Sequence, residues 1–354
     1  MDIYDIGNSL AIDPAAAAEL AAALPAAAPA QWRDLAAALQ LWSRPPESAV
    51  GDRQEVQDRQ EVRKEVRDRQ EVGDQEVGTR HEVGVEVGDR QQSQVRDGRV
   101  GRPYRAGRVL GISGGQGAGK STLAACVVAA AQRMGQRAVS LSLDDFYLTY
   151  AQRADLARQV HPLLVTRGVP GTHDVALCIR TIEGLLLPGE QRIPRFDKAS
   201  DDRLPRDQWD AVAGPFDLVV LEGWCVAAPP QSAAALSEPC NELESSTDPQ
   251  GVWRAYVNGC LRGEYQAFEY KELWRLIDDL VFLAVPGMDA VVRWRGRQER
   301  DRPPEHRMSS ARIAEFVAHY ERLTRWMLAE MPAIAHLTGV LDDSHKLVEL
   351  TQRR

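Results

Sequence analysis

The chemistry-bearing stretch of this chain is Gly114-Gly115-Gln116-Gly117-Ala118-Gly119-Lys120-Ser121-Thr122, which contains the pattern GxxxxGK[ST] in full. Glycines at that spacing let successive backbone N–H groups turn inward around phosphate oxygens, and a helix starting near Lys120 aims its positive dipole end at the same anion. Lys120 is expected to reach the β- and γ-phosphates, and the Ser121 hydroxyl to ligate Mg²⁺. Two carboxylates complete the set. Asp144 ends one apolar run and can take a proton from an attacking hydroxyl; Glu222 ends another and can hold Mg²⁺ or its water. Asp145 either joins Asp144 at the phosphates or caps the following turn.

Elements of defined type must hold these groups. Val109 to Ile112 reads as a buried strand and Leu123 to Ala130 as an apolar helix, so the loop has the strand–loop–helix context its pattern needs. Ala138–Leu143 and Phe216–Glu222 read as further strands, and ligands of an open parallel α/β sheet sit beyond the carboxyl ends of such strands. A helix is expected over 175–187, capped by Thr172 or Asp174, another over 252–277, a strand over 280–285, a helix from Ser309 to Met331, and a last strand over 333–341 with Asp342 to His345 as its turn. Residues 227–250, rich in Pro, Ser and Ala, read as a surface excursion.

Between His161 and Asp210 lie the loops suited to an acceptor pocket, because they supply Arg, His and Lys that can grip an anion. Single basic residues in such loops are more often solvated than functional. Arg293, Arg295, Arg297, Arg300, Arg302, His306, Arg307 and Arg312 form a dense cationic segment around Trp294. As a whole it reads as a helical lid that closes over a nucleotide and stabilises transferred charge, although any one arginine is more often simply solvated.

Composition narrows the class. The chain has 354 residues, 51 acidic against 43 basic, and 44% hydrophobic residues, which fits one large or two modest soluble domains and gives no sign of a nucleic-acid binder. Five scattered cysteines lack CxxC or CxxH spacing, so reduced thiols are expected rather than a disulfide frame or a zinc site. No apolar run approaches the ~20 residues of a membrane span, and a cytoplasmic location is the default. Three segments are expected: an Ala-rich helical segment over 1–48, a low-complexity DRQEV-repeat linker over 51–98, and a catalytic domain over 105–354. In the first, Asp13-Pro14 marks a helix start, Ala15–Leu24 and Trp32–Trp42 read as helices, and Trp32, Leu35, Leu39, Leu41 and Trp42 make an apolar stripe able to dock on a larger domain. Valines of the tract keep neither helical nor strand phase, which excludes a solenoid and gives the tract no catalytic role.

These blocks, in this order, resemble the plant-type D-glycerate 3-kinase family, within the phosphoribulokinase/uridine kinase group of P-loop kinases. The resemblance runs from about Val109 to the C-terminus. It rests on the loop, on Asp144-Asp145-Phe146-Tyr147, on Arg167-Gly168 through Gly171-Thr172-His173-Asp174, on Pro194-Arg195-Phe196-Asp197-Lys198, on Leu221-Glu222-Gly223-Trp224, and on Trp294-Arg295 with Gln298-Glu299. It implies a three-layer α/β P-loop NTPase fold with a central parallel sheet and a helical lid. It also implies ATP and Mg²⁺, with phosphate passing to the 3-hydroxyl of D-glycerate, Asp144 as base, Glu222 serving the metal and Arg295 among the catalytic cations. Asp145, Tyr147, Arg167, His173, Lys198 and Arg203 are the expected acceptor-site residues. The basic segment usual after the Lys198 block is shortened here to Lys198-Ala199-Ser200-Asp201-Asp202-Arg203, and the long helix departs from the family pattern at Tyr320 to Trp326. Both departures bear on the acceptor rather than the phosphate chemistry. Other hydroxylated metabolites, nucleoside or pantothenate-like, remain alternative acceptors, and an ATP-driven regulatory protein with a protein partner is the alternative of another class.

Overall fold

A computed structural model describes residues 1–42, 107–265, 268–300 and 307–353. Its strands are β1 (Arg108–Gly114), β2 (Ala138–Ser142), β3 (Gly189–Ile193), β4 (Phe196–Asp197), β5 (Asp202–Arg203), β6 (Asp210–Gly214), β7 (Leu218–Gly223), β8 (Asp279–Ala284), β9 (Leu337–Leu341) and β10 (Leu347–Gln352). Six of them form one sheet in the order β10-β9-β8-β1-β7-β2, parallel except for the antiparallel edge strand β10. β7 is buried along its whole length, as expected of a parallel strand covered on both faces. Its side chains alternate between two cores: Val219 and Leu221 join the one containing Ile182, Tyr256 and Leu323, while Leu218 and Val220 join the one containing Leu123, Val127 and Leu35. The result is the expected three-layer α/β arrangement, with a mixed rather than purely parallel sheet.

Helices are α1 (Ile3–Leu10), α2 (Pro14–Ala22), α3 (Ala30–Trp42), α4 (Lys120–Arg133), α5 (Tyr150–Gln159), α6 (Val175–Leu185), α7 (Glu242–Thr247), α8 (Val252–Arg262), α9 (Tyr270–Arg275), α10 (Met288–Arg300) and α11 (Ser310–Ile334). Asp13 caps α2 with Pro14 at its first position, and Asp174, not Thr172, caps α6 by accepting from the Leu177 N–H at 3.0 Å. The Trp32, Leu35 and Leu39 stripe of α3 is buried against α4, so residues 1–42 belong to the same compact unit as the sheet. Polar contacts reinforce that docking: Gln31 donates to the His345 carbonyl at 2.6 Å and accepts from the Leu347 N–H at 3.1 Å.

Several elements differ from the sequence expectation. The helix expected over 252–277 is two helices, because Gly263 takes a left-handed φ of +73° and closes α8. α11 continues through Pro332 to Ile334, so the last parallel strand starts only at Leu337. α1 and β10 were not foreseen. Residues 227–250 are no mere surface excursion: they carry α7 and the buried Glu244 and Asp248, which pair with Arg322 at 2.5 Å and Arg254 at 3.1 Å. The repeat tract over 51–98, and Arg302 and His306 of the cationic segment, lie outside the described residues.

Candidate active site

Strand register brings the donor-side residues together. β7 lies between β1 and β2, and Glu222 is registered with Ile112 on one side and Ser142 on the other, at the carboxyl end of all three strands. α4 begins at Lys120 immediately beyond β1. Ser121 Oγ therefore donates to Glu222 Oε1 at 2.9 Å, across 101 residues of sequence. Lys120 Nζ donates to the Gly115 carbonyl at 3.0 Å, folded back over its own loop. Burial pulls the Lys120 ammonium below its ordinary value, opposed by Glu222 and Asp144.

Gly119 shows why the loop needs glycine. Its φ is +88°, and a Cβ there would stand 2.7 Å from the Trp32 ring. Trp294 lies against Gly117 on another side, stacks on His345 with centroids 3.8 Å apart, and donates to the Asp343 carbonyl at 3.2 Å. The loop of Gly114, Gly115, Gln116, Gly117, Ala118, Gly119, Lys120, Ser121 and Thr122 is thus braced from outside by α3, α10 and the β9–β10 turn. Neither Trp32 nor His345 carries a local motif that points to this loop; both reach it only through tertiary packing.

Across the cleft, Asp144 sits in a 3₁₀ turn, Leu143–Phe146, that follows β2 directly. Tyr147 donates to its Oδ1 at 2.8 Å and Lys198 to its Oδ2 at 2.7 Å. Burial pushes the Asp144 carboxyl up, but Lys198, Tyr147 and His173 together outweigh burial and hold it below the usual carboxylate range. The ring of Tyr147 stacks on His173 with centroids 4.7 Å apart. His173 is fully enclosed, which lowers its pKa to about 4, with Asp144 pulling the other way, so it is neutral near pH 7. The Tyr270 hydroxyl accepts from the Gly171 N–H at 3.0 Å and stands 2.7 Å from His173 Nδ1. A phenol proton donated to Nδ1 satisfies all three groups and leaves the imidazole proton on Nε2.

The other expected acceptor residues tie the surrounding elements to one another. Arg195 donates to Asp145 Oδ2 at 2.8 Å and the Phe196 N–H to Asp145 Oδ1 at 3.1 Å, so Asp145 anchors the β4–β5 hairpin and does not cap its own turn. Arg203 donates to the Tyr147 carbonyl at 2.7 Å and to Asp174 Oδ2 at 3.1 Å. Arg167 pairs with Asp201, and its carbonyl accepts from the Tyr320 hydroxyl at 3.0 Å. Arg153, not foreseen, is wholly buried and donates to the carbonyls of Leu148, Val165 and Asp201. Gly168 is where this loop most needs a glycine: φ is +130°, and a Cβ would lie 2.2 Å from the Tyr320 hydroxyl. On α10, Arg295 pairs with Glu299 at 2.6 Å and lies over the Phe316 ring.

The arrangement has a glycine-rich loop and a serine–carboxylate pair on one side, and an ionised carboxylate with an ammonium on the other. No family model matches the chain. It is 29% identical over 225 residues to the chloroplastic D-glycerate 3-kinase of Arabidopsis thaliana, which spans 60% of this chain and 46% of that protein. It is 34% identical over 232 residues to an uncharacterized kinase, mug58, of Schizosaccharomyces pombe, spanning 62% of this chain and 79% of that one. The chain belongs to the D-glycerate 3-kinase family of P-loop kinases. A solved structure of a D-glycerate 3-kinase from Cryptococcus neoformans shares this family's fold, with a TM-score of 0.57 at 23% identity, over 70% of this chain and 90% of that one. Among the described residues, no helix is long and apolar enough to cross a membrane.

Proposed function

We propose that this protein transfers the γ-phosphate of ATP to the 3-hydroxyl of D-glycerate, giving 3-phosphoglycerate and ADP. The observation that carries the reading is the contact of Lys198 with Asp144 at 2.7 Å, which puts a cation for an anionic acceptor beside a base for its hydroxyl. Membership of a family that includes a D-glycerate 3-kinase supports it.

Each step uses groups of this chain. Backbone N–H groups from Gly115 to Ser121 and the start of α4 cradle the phosphates, and Lys120 turns from the Gly115 carbonyl onto them. Asp144, held ionised, takes the acceptor hydroxyl proton as the oxygen attacks, while Tyr147 keeps the carboxylate oriented. Arg295 on α10, next to the Trp294 that packs on Gly117, is the cation assigned to balance charge on the transferred group, leaving Glu299 to do so. Ser121 Oγ and Glu222 Oε1, 2.9 Å apart, are the hydroxyl and carboxylate oxygens a hard cation takes, so they fit Mg²⁺. When bound, Mg²⁺ neutralises charge that develops on the phosphates.

The test is ATP consumption by the purified protein with Mg²⁺ and, in turn, D-glycerate, L-glycerate, uridine and pantothenate, with products assigned by ³¹P NMR. The expected result is turnover with D-glycerate and a 3-phosphate product. Turnover with another acceptor and none with D-glycerate refutes the assignment.

A further inference from the structure

Four arginines of the elements around Asp144, Arg153, Arg167, Arg195 and Arg203, are committed to partners that hold those elements together. Arg153 holds three backbone carbonyls and Asp201. Arg167 is paired with Asp201, Arg195 bridges Asp145 and Asp210, and Arg203 bridges the Tyr147 carbonyl and Asp174. These contacts make the β4–β5 hairpin and the 167–174 loop a rigid frame. Lys198 differs. Its ammonium is held by Asp144 Oδ2, and its side chain is 56% exposed on a four-carbon stem that can swing without moving the frame.

With Tyr147 on Oδ1 and Lys198 on Oδ2, both oxygens of Asp144 are engaged when no acceptor is bound. Each oxygen keeps a second lone pair, but a carboxylate whose charge is paired with an ammonium is a weaker base toward water beside the phosphates. Releasing Lys198 requires another anion of comparable strength, because an ammonium moved into this cleft without a partner loses a charge-assisted hydrogen bond.

We infer that Lys198 is a specificity-determining residue that exchanges partners. It guards Asp144 against water in the resting site and passes to the anionic group of the acceptor, which frees Oδ2 for the acceptor's own hydroxyl. The inference rests on the kinase reading above and adds its selectivity: acceptors are small hydroxy acids whose carboxylate and hydroxyl are separated by a short carbon chain, able to touch Lys198 and Asp144 together. In the productive step the hydroxyl proton passes to Asp144, the hydroxyl oxygen forms the new P–O bond, the bond from the γ-phosphorus to the bridging oxygen breaks, and ADP leaves with that electron pair. Neutral alcohols lack the group that draws Lys198 away. Water meets the stronger, unpaired base only when Lys198 is gone.

The experiment compares wild type, Lys198→Met and Lys198→Arg as full-length proteins, with unchanged thermal melting as the folding control. Two quantities are read: ATP hydrolysis without acceptor, and the ratio of kcat/KM for D-glycerate to that for glycerol. Lys198→Met should lower the ratio by about tenfold or more, the worth of one charge-assisted hydrogen bond, and should raise acceptor-free hydrolysis; Lys198→Arg should keep hydrolysis low. A ratio unchanged by Lys198→Met, or hydrolysis that does not rise, overturns the inference. If wild type phosphorylates none of these acceptors, the glycerate reading fails separately, and the hydrolysis comparison still decides the Lys198 contact.

Discussion

Replacing Asp144 by Asn separates chemistry from architecture at this site. The amide keeps an oxygen for the Tyr147 hydroxyl, now at 2.8 Å from Oδ1, but loses the charge that pairs with Lys198 and the capacity to accept a proton. Two magnitudes decide what should be seen. The Lys198 pair is solvent-accessible, 56% and 33% exposed on its two sides, so its loss should cost stability no more than ~1 kcal/mol. Loss of a positioned general base typically costs about 10²- to 10⁴-fold in rate, or ~3–5 kcal/mol of barrier. The variant should therefore melt within a few degrees of wild type and bind ATP almost as well, while kcat with D-glycerate falls by about a hundredfold or more. Steady-state kinetics, calorimetric titration of ATP and thermal melting read the three quantities. Because Asp144 is held below the usual carboxylate range, wild-type kcat/KM should show no acid limb from this group between about pH 6 and 8. A variant within about fivefold of wild-type kcat, or one that loses ATP binding as heavily as turnover, would refute the assignment of Asp144 as base.

Other expectations test the frame around it. His173 is held neutral, with a pKa of about 4 against 6.5 for an ordinary histidine. Between those values the unfolded chain binds a proton that the folded one does not, so stability should fall as pH drops through that window, by about 3 kcal/mol in full. Urea denaturation across pH 4 to 7 should show this, and His173→Gln should flatten the trend. Trp32→Ala empties a buried site against Gly119 and should cost about 3–5 kcal/mol; because that side chain braces the phosphate loop, KM for ATP should rise while KM for the acceptor stays constant. Glu244→Gln leaves Arg322 without its charged partner in a buried pair and should cost about 3–5 kcal/mol by thermal denaturation, with kcat unchanged. Deleting residues 51–98 should leave the kinetic constants near wild type.

The donor half of the site was legible in the sequence because its pattern is local. A glycine loop between a strand and a helix, and an acid at the end of an apolar run, each carry their geometry in a few neighbouring residues. Glu222 meets Ser121 only through strand pairing, yet the carboxyl-end rule for parallel sheets was enough to place it. The acceptor half was not legible at the same level. Arg167, His173, Lys198 and Arg203 look alike in sequence as polar loop residues, and only their partners separate a committed side chain from an available cation. Asp145 is the same case: its neighbour Asp144 faces the cleft, whereas it turns toward Arg195. The edge strand β10 and helix α1 are short, with weak periodicity, and are defined mainly by what they pack against. Gly263 was the readable signal that the 252–277 helix would break, since a glycine inside an apolar periodic run commonly closes a helix by going left-handed.

The bracing of the glycine loop by Trp32 means that part of the proposed nucleotide site is built from a piece of chain joined to the rest mainly by an interface. Residues 1–42 are fastened by the buried face of α3 on α4, by Gln31 at the β9–β10 turn, and by the chain's amino terminus on the Leu347 carbonyl. A chain nicked between residues 43 and 104 would keep these fastenings, and its two fragments would behave as receptor and ligand. The integrity of the ATP site in such a nicked protein would then depend on fragment concentration, as it does in a heterodimer.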